Sequence, residues 1–439
     1  MKVITHQRLI YISAMGLALL GYGISPVSAD VGQVSADVTE TKSEGKFIES
    51  KGTKATEGYA ETAGQPIYDY GKGLQVGALH LKPFIDYAHE WDSNVFLDEN
   101  GRRADHINRI STGAAAELPF GGGQHLLTGS YRADIEWFQR FASQNHDDHT
   151  VGAGLQLNYT SFTLAIDESF RRTVSRSGTE FTARVPRDEN SVRALLEVPF
   201  ARFFLESEAF DLNIDYRLPE DDVFDHHDFT IYQRVGFDIT PLTQILGEYG
   251  YKNIQYSNTI APDDRDGNAH QAALGLRGQW TEKITYQAWG GAQFREYDLE
   301  SRPEFEGFIF RSAVVYNITE TGTISLRGDR SPQESTFDGQ SFYIRNRAEL
   351  AWRQQIAERL FFNTREIFQF NEYSRESLRA GVLKVREDIV WEAGVGLEYK
   401  MPNDIISIFG EYKFRSRDSN TVNLDYDAQS ISAGVRAAF

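Results

Sequence analysis

Charged side chains recur at every second position of long alternating segments, and they are the residues best placed to do chemistry in this chain. In Leu126–Phe138, Arg132, Asp134 and Glu136 share one parity, while bulky apolar side chains take the other. Period two puts the two sets on opposite faces of a strand. Opposed charges on one face can set a transverse field across an aqueous passage and select solutes. The alternative reading is a network of ion pairs that holds a polar interior together.

The candidates for a charged wall are the polar-parity residues of these segments. They are Arg109, Glu117, Arg132, Asp134, Glu136, Glu248, Arg277, Arg295, Arg327, Arg345, Arg347, Arg365, Glu392, Glu398, Glu411 and Arg436. Because acids and bases occur together, the pattern argues against strong selectivity for one sign of charge.

Trp289 is the aromatic residue that stands out, because it lies on the polar parity beside Gln287 and Gln293. An indole in a polar interior can stack on a sugar ring, so Trp289 is a candidate sugar contact. Most other aromatics lie toward segment ends or on the apolar parity. They predict girdles of rings at the depth of lipid headgroups.

The sequence contains no recognised motif for a metal site or a catalytic group. The stretches 146–149 and 225–228 are rich in His and Asp, but neither has a recognised ligand spacing on a rigid element. The stretch 263–267 lacks the alternating acids and distal Glu of a calcium loop, and there is no Gly-x-Ser-x-Gly signature. The sequence therefore predicts no catalytic residues, no metal and no cofactor.

Eighteen alternating segments carry these residues, and the connections between them alternate between short turns and longer polar loops. An outer-membrane barrel has an even number of strands, short periplasmic turns, longer external loops and apolar-out alternation. Closure of the sheet satisfies every backbone group in hydrocarbon. We therefore predict an all-β fold: a single transmembrane antiparallel up-and-down β-barrel of about 18 strands, in contact with outer-membrane lipid and lipopolysaccharide.

Composition supports this choice. The 439-residue chain has a net charge of −18, a mean hydropathy of −0.45 and 13% aromatic residues. The negative charge weighs against a nucleic-acid partner. The absence of Cys removes disulfides and thiolate sites, and no mature segment has the roughly 20 apolar residues of a membrane helix.

The two ends of the chain carry targeting signals. Residues 1–29 have the basic start, apolar run and small-residue ending of a signal peptide. Residues 30–75 are polar and predict a disordered periplasmic arm, and residues 76–439 predict the barrel. The last segment alternates to a terminal aromatic, with Val435, Ala437 and Phe439 on one face. These three predict the signal that the barrel assembly machinery recognises for insertion.

The alternation is imperfect in a few places. Between Ala209 and Leu212 the apolar parity changes phase, which predicts a β-bulge. Glu366 lies on the apolar parity of its segment, and Arg234 lies on the polar parity.

Three short stretches resemble a known family. They are Asp92–Phe96 after the first segment, Glu117–Pro119 at the end of the second, and Tyr131–Asp134 in the third. Over residues 75–439 the chain resembles outer-membrane β-barrel proteins encoded with exopolysaccharide synthesis and export genes in Gram-negative bacteria. The resemblance implies a porin-like conduit in the outer membrane, with polysaccharide and periplasmic export components as partners. The alternatives are a general or nutrient-specific porin and a structural or adhesive barrel with a plugged lumen.

Overall fold

The structure is a computed structural model, and it describes residues 73–176, 179–180, 183–257, 264–336, 340–379 and 382–439. The predicted signal peptide and all but the last three residues of the predicted arm lie outside the described residues. Among the residues described, no helix has the length and apolar character needed to cross a membrane.

Strands make up most of the described chain. In order they are β1 (Leu74–Val76), β2 (Leu79–Asp92), β3 (Asp105–Phe120), β4 (His125–Phe138), β5 (His146–Asn158), β6 (Thr163–Thr173), β7 (Arg187–Phe200), β8 (Phe203–Tyr216), β9 (His226–Thr240), β10 (Thr243–Tyr256), β11 (Gly267–Thr281), β12 (Ile284–Tyr297), β13 (Phe305–Thr319), β14 (Gly322–Glu334), β15 (Phe342–Ala357), β16 (Leu360–Arg379), β17 (Val382–Lys400), β18 (Ile406–Ser419) and β19 (Tyr426–Ala438).

The sheet closes on itself. From β2 onward each strand pairs antiparallel with the next, and β19 pairs with β2, with Val435 opposite Tyr87. The predicted closed antiparallel barrel of 18 strands is therefore confirmed, formed by β2 to β19. The short β1 pairs with β2 beyond the end of β19, where Gly73 N donates to Phe439 O at 2.8 Å. The β1 strand thus pairs with the start of β2, which β19 does not reach.

Side chains alternate between two environments along each strand. On β11, Leu274 is 70% exposed and Trp280 is 78% exposed, whereas Arg277 between them is 5% exposed. Because strand side chains point alternately to the two faces, the apolar parity faces outward and the charged parity faces the lumen. Hydrocarbon accepts the first set and an aqueous interior accepts the second.

The predicted β-bulge between Ala209 and Leu212 is wrong. Strand β8 stays in continuous register with both β7 and β9. Beyond Ala209 the outward positions become polar, and Asp211 accepts from His227 on β9 at 2.7 Å. The strand therefore continues past the lipid-facing apolar band, and that change of environment reverses the hydrophobic pattern without a bulge.

Register shifts occur instead beside four short turns, for example between Gln279 and Thr281 at the β11–β12 hairpin, and between Glu372 and Glu376 on β16. The turn between β3 and β4 is made by Gly121, Gly122 and Gly123, whose φ angles are 60°, 72° and 88°. Three successive positive φ values are accessible to glycine at little cost. The short turns therefore fix the strand register at one end of the barrel.

Candidate functional site

A buried charge cluster lies on the lumenal side of β8, β9 and β10. Register pairs Glu206 with Arg234 and Arg234 with Glu248, so the three side chains form one inward-facing row. Arg234 is 1% exposed. Its Nη1 lies 2.5 Å from Glu206 and 2.7 Å from Glu208, and its Nε lies 2.6 Å from Glu248. One guanidinium therefore joins three carboxylates across three strands.

Two further arginines complete this cluster. Arg277 reaches Glu206 at 2.9 Å and Arg311 reaches Glu248 at 2.5 Å. The cluster thus holds three arginines and three carboxylates, so its charges compensate locally. Removing one member would leave the others buried without compensation, so the network should be costly to break.

Trp289 lies inside the barrel but is covered. It is 3% exposed and packs with Phe204, Leu246 and Ala273. The Arg311 guanidinium lies 4.6 Å from its ring centroid and that of Arg234 lies 5.5 Å away. A sugar could stack on this ring only after Arg311 moved.

Lumenal charges are distributed unevenly around the ring. On β14, β15 and β16 the lumenal charges are five arginines and three carboxylates: Arg327, Arg345, Arg347, Arg353, Arg365, Asp329, Glu334 and Glu349. Arg345 contacts Asp329 at 3.0 Å, while Arg347 and Arg365 share Glu349 at 2.8 and 3.1 Å. We call this set the arginine face.

The opposite side of the barrel carries the reverse excess. Strands β5 to β8 lie about nine positions away in the ring of 18. Their inward positions hold six carboxylates and three arginines: Asp148, Asp167, Glu189, Glu197, Glu206, Glu208, Arg171, Arg187 and Arg193. Arg193 is bound to Glu208 at 2.6 Å. Glu206 and Glu208 are bound by Arg234 and Arg277 of the buried charge cluster, so this side keeps only a small excess of negative charge opposite the arginine face.

The described residues of the connection between β6 and β7, residues 174–186, make contacts across this lumen. We call it the crossing loop, and the structure describes 174–176, 179–180 and 183–186 of it. The hydroxyl of Thr179 lies 3.2 Å from the side-chain amides of Gln369 and Asn371 on β16. Gln369 and Asn371 occupy inward positions ten strands further along the chain. The loop therefore reaches the far wall.

Glu180 ties the crossing loop to the connection after β14. Its carboxylate accepts from the Ser335 hydroxyl at 2.7 Å, the Thr336 backbone N–H at 2.8 Å and the Thr336 hydroxyl at 3.0 Å. Burial raises the pKa of Glu180 above its ordinary value, although these hydrogen bonds oppose the rise. We call this contact the Glu180 latch.

The flanks of the crossing loop attach to the connection after β2, which in the ring lies between the loop's own strands and β16. Arg176 and Arg184 both donate to Val95 O, at 2.6 and 3.5 Å. Burial, together with the neighbouring cations Arg184 and Arg415, lowers the pKa of Arg176 to about 9. The loop is thus held at both ends of its path across the barrel.

Most other predicted wall residues form ion pairs within the wall. The pairs are Arg109–Glu136 at 2.6 Å, Arg132–Asp134 at 2.5 Å, Lys82–Glu117 at 2.9 Å, Arg295–Glu334 at 2.7 Å, Arg415–Glu392 at 2.9 Å, Arg353–Glu398 at 3.2 Å, Lys413–Glu411 at 2.9 Å and Arg436–Asp86 at 3.0 Å. Both sequence readings, a solute-selecting wall and a structural network, are compatible with these contacts.

Val435 and Ala437 of the predicted insertion signal lie on the closing strand β19, and Phe439 directly follows its last residue. Val435 and Phe439 are exposed on the outward face, and Phe439 N donates to Pro83 O at 3.1 Å.

In the metal-capable stretches, His146 lies 3.6 Å from Glu136, and His149 lies 2.8 Å from Asp147. The described part of the chain contains no group of three potential metal ligands. Asp263 lies outside the described residues.

Sequence reasoning missed the crossing loop entirely. Thr179 and Glu180 sit in a polar connection with no periodic signal, and their partners lie more than 150 residues away. For the buried charge cluster one signal was available: Arg234 lies on the polar parity, and a buried cation there requires carboxylates on the neighbouring strands.

Comparison with known proteins gives a family. Residues 65–439 match the family described as “Putative beta-barrel porin 2”. No curated protein matches the chain. Among solved structures, the FrpB iron transporter of Neisseria meningitidis is 9% identical, with 81% of each chain covered and a TM-score of 0.44. OccAB3 of Acinetobacter baumannii is 10% identical, covering 82% of this chain and 99% of its own, with a TM-score of 0.42. A BenF-like porin of Pseudomonas fluorescens has the same identity and coverages and a TM-score of 0.44.

Proposed function

This chain belongs to the family described as “Putative beta-barrel porin 2”, and we propose that it is an outer-membrane channel whose bore is narrowed by the crossing loop. Family membership makes the protein a porin-like outer-membrane barrel and supports a channel function. The observation that carries the proposal is the loop itself. Its Thr179 bonds inward-facing side chains of β16, so any solute that passes must pass beside it.

The charges around the loop support selection of solutes. The arginine face and the lumenal carboxylates of β5 to β8 oppose each other across the bore, so a solute with separated charges or polar groups would be oriented as it passes. Because the two excesses are of opposite sign, the channel would discriminate by shape and dipole more than by net charge. This supports passage of polar, hydroxyl-rich solutes.

Liposome swelling tests the channel. Proteoliposomes should swell in small sugars, with a size limit set by the crossing loop. Swelling indistinguishable from protein-free liposomes would favour the alternative of a structural or adhesive barrel with a plugged lumen. Swelling in a broad range of unrelated solutes would favour a general or nutrient-specific porin.

For the cargo, we propose export of an exopolysaccharide together with periplasmic export components, as the resemblance in Asp92–Phe96, Glu117–Pro119 and Tyr131–Asp134 implies. One of these stretches supports the loop. Asn94 is fully buried, its side-chain amide donates to Asp98 O at 2.9 Å and Asp427 O at 3.1 Å, and the next carbonyl, Val95 O, holds Arg176. The resemblance thus includes residues that shape the crossing loop's anchor.

Secretion of polysaccharide tests the cargo separately from the channel. A strain that lacks the protein should retain polymer in the periplasm and release less into the medium, and the wild-type gene should restore release. Normal secretion in that strain would remove the export proposal while leaving the swelling result intact.

A further inference from the structure

Two histidines that are distant in sequence meet on the outer surface of the barrel. His89 lies three residues before the end of β2 and His106 is the second residue of β3. Strand register places His89 opposite Asn108 and His106 opposite Trp91, so the two imidazoles are diagonal neighbours. His89 Nε2 lies 3.2 Å from His106 Nδ1.

Asn108 fixes the tautomer of His89. His89 Nδ1 lies 3.0 Å from Asn108 Oδ1, and the Tyr87 hydroxyl donates to that same oxygen at 2.9 Å. A carbonyl oxygen can only accept, so His89 Nδ1 carries the proton and the neutral ring has its lone pair on Nε2. His89 Nε2, which carries that lone pair, is the nitrogen that lies beside His106 Nδ1.

The spacing suits a shared metal ion. Imidazole nitrogens bind Zn²⁺ at about 2.0–2.1 Å, so two of them at a tetrahedral angle lie roughly 3.3 Å apart. Two nitrogens at right angles, as in the square-planar sites of Cu²⁺ or Ni²⁺, lie roughly 2.9 Å apart. The observed 3.2 Å falls between these values. The bond from His89 to Asn108 is the outer-shell contact that metal-ligating histidines make.

We propose that His89 Nε2 and His106 Nδ1 form a binding site for a divalent transition-metal ion of the Zn²⁺, Cu²⁺ or Ni²⁺ class. Both ligands sit on paired strands, so little ordering is needed on binding. The pair faces outward near the strand ends that carry the longer loops. The ion's other coordination positions therefore open toward water and lipid headgroups. The site is separate from the lumen and does not depend on the proposed channel.

Calorimetric titration of the untagged protein in detergent with Zn²⁺ and with Ni²⁺ tests the site. We expect one ion per chain, with binding weakened at least tenfold by His89→Ala or by His106→Ala. Asn108→Ala should weaken binding about 10–100-fold while leaving both ligands in place. The matched control is His270→Ala, because His270 is an exposed outward histidine bound to the Tyr249 hydroxyl at 2.8 Å. That variant should bind as the wild type does.

X-ray absorption of the zinc-loaded wild type gives a readout that does not depend on how the variants fold. Two imidazole ligands in the first shell support the site. Fewer than two, or titrations in which His89→Ala and His106→Ala bind as tightly as His270→Ala, would overturn it and leave the pair as a simple hydrogen bond.

Discussion

Arg417 of β18 donates from Nη1 to the backbone carbonyl of Thr179 at 2.7 Å, across 238 residues of sequence. Arg417 is buried, and its Nε donates to Leu424 O at 2.6 Å, which fixes the direction of the side chain. The contact joins the crossing loop to a strand on the far side of the ring. A loop held in this way is part of the channel wall, and its release should change what the channel admits.

The Glu180 latch should respond to pH. Burial raises the Glu180 pKa above 4.5 in the docked loop. A raised carboxyl pKa means that docking is favoured at low pH and that this contribution is lost as pH rises through the raised value. Because the docked crossing loop narrows the bore, we expect the conductance of the wild type to fall on acidification. Glu180→Gln, which cannot ionise, should remove that part of the pH dependence.

The control for this titration is Glu300→Gln, a change in an exposed connection. It should keep the wild-type profile in the same bilayer recordings. Identical pH profiles for wild type and Glu180→Gln would refute the latch as the titrating element.

Replacing Arg234 should destabilise the barrel strongly. Arg234→Met leaves three carboxylates buried without their shared cation, and breaking a buried pair costs about 3–5 kcal/mol. Arg172→Met removes a half-exposed pair with Asp188 on the outer surface, where pairs contribute about 0–1 kcal/mol. Urea unfolding of the reconstituted protein measures both. Equal losses for the two variants would contradict the importance of the lumenal cluster.

A close contact within the lumen makes Gly236 intolerant of a larger side chain. A Cβ on Gly236 would overlap the Phe204 ring, whereas a Cβ on Gly247 would have nothing within 4 Å. We expect Gly236→Ala to lower the free energy of unfolding by about 1–3 kcal/mol through overpacking. Gly247→Ala should be tolerated. Thermal unfolding followed by circular dichroism measures the difference, and equal midpoints would argue against this packing.

The arginine face should influence ion selectivity. Arg347→Gln combined with Arg365→Gln removes two lumenal cations from the side with excess positive charge. The reversal potential in a salt gradient should then shift toward cations. Arg330→Gln is the control, because Arg330 faces outward and donates to Phe308 O at 3.2 Å. A shift of the same size in the control would rule out a lumenal origin.

Much of the barrel could be predicted from sequence because period two is a local signal repeated 18 times. Odd or even position alone predicts that Leu274 and Trp280 face outward and that Arg277 faces the lumen. Closure of the sheet follows from the need to satisfy backbone groups in hydrocarbon. The same signal misled at Ala209, because parity reports the environment of a side chain and not only backbone geometry. Once β8 passes the lipid band, the outward environment is water.

The crossing loop could not be predicted. The contacts of Glu180 with Ser335 and of Thr179 with Gln369 depend on where a non-periodic segment folds in three dimensions. The His89–His106 pair escaped for a related reason, since only strand register brings these residues together. The predicted sugar contact at Trp289 and the insertion signal at Val435, Ala437 and Phe439 stay predictions.

Single-channel conductance in planar bilayers tests the central claim most directly. The wild type should give discrete openings. A variant in which residues 177–182 are replaced by two glycines should give openings of larger conductance, because the crossing loop is shortened. The variant Glu180→Ala should fall between the two. Equal conductance for the wild type and the shortened loop, or no conductance from either, would contradict a water-filled barrel narrowed by its crossing loop.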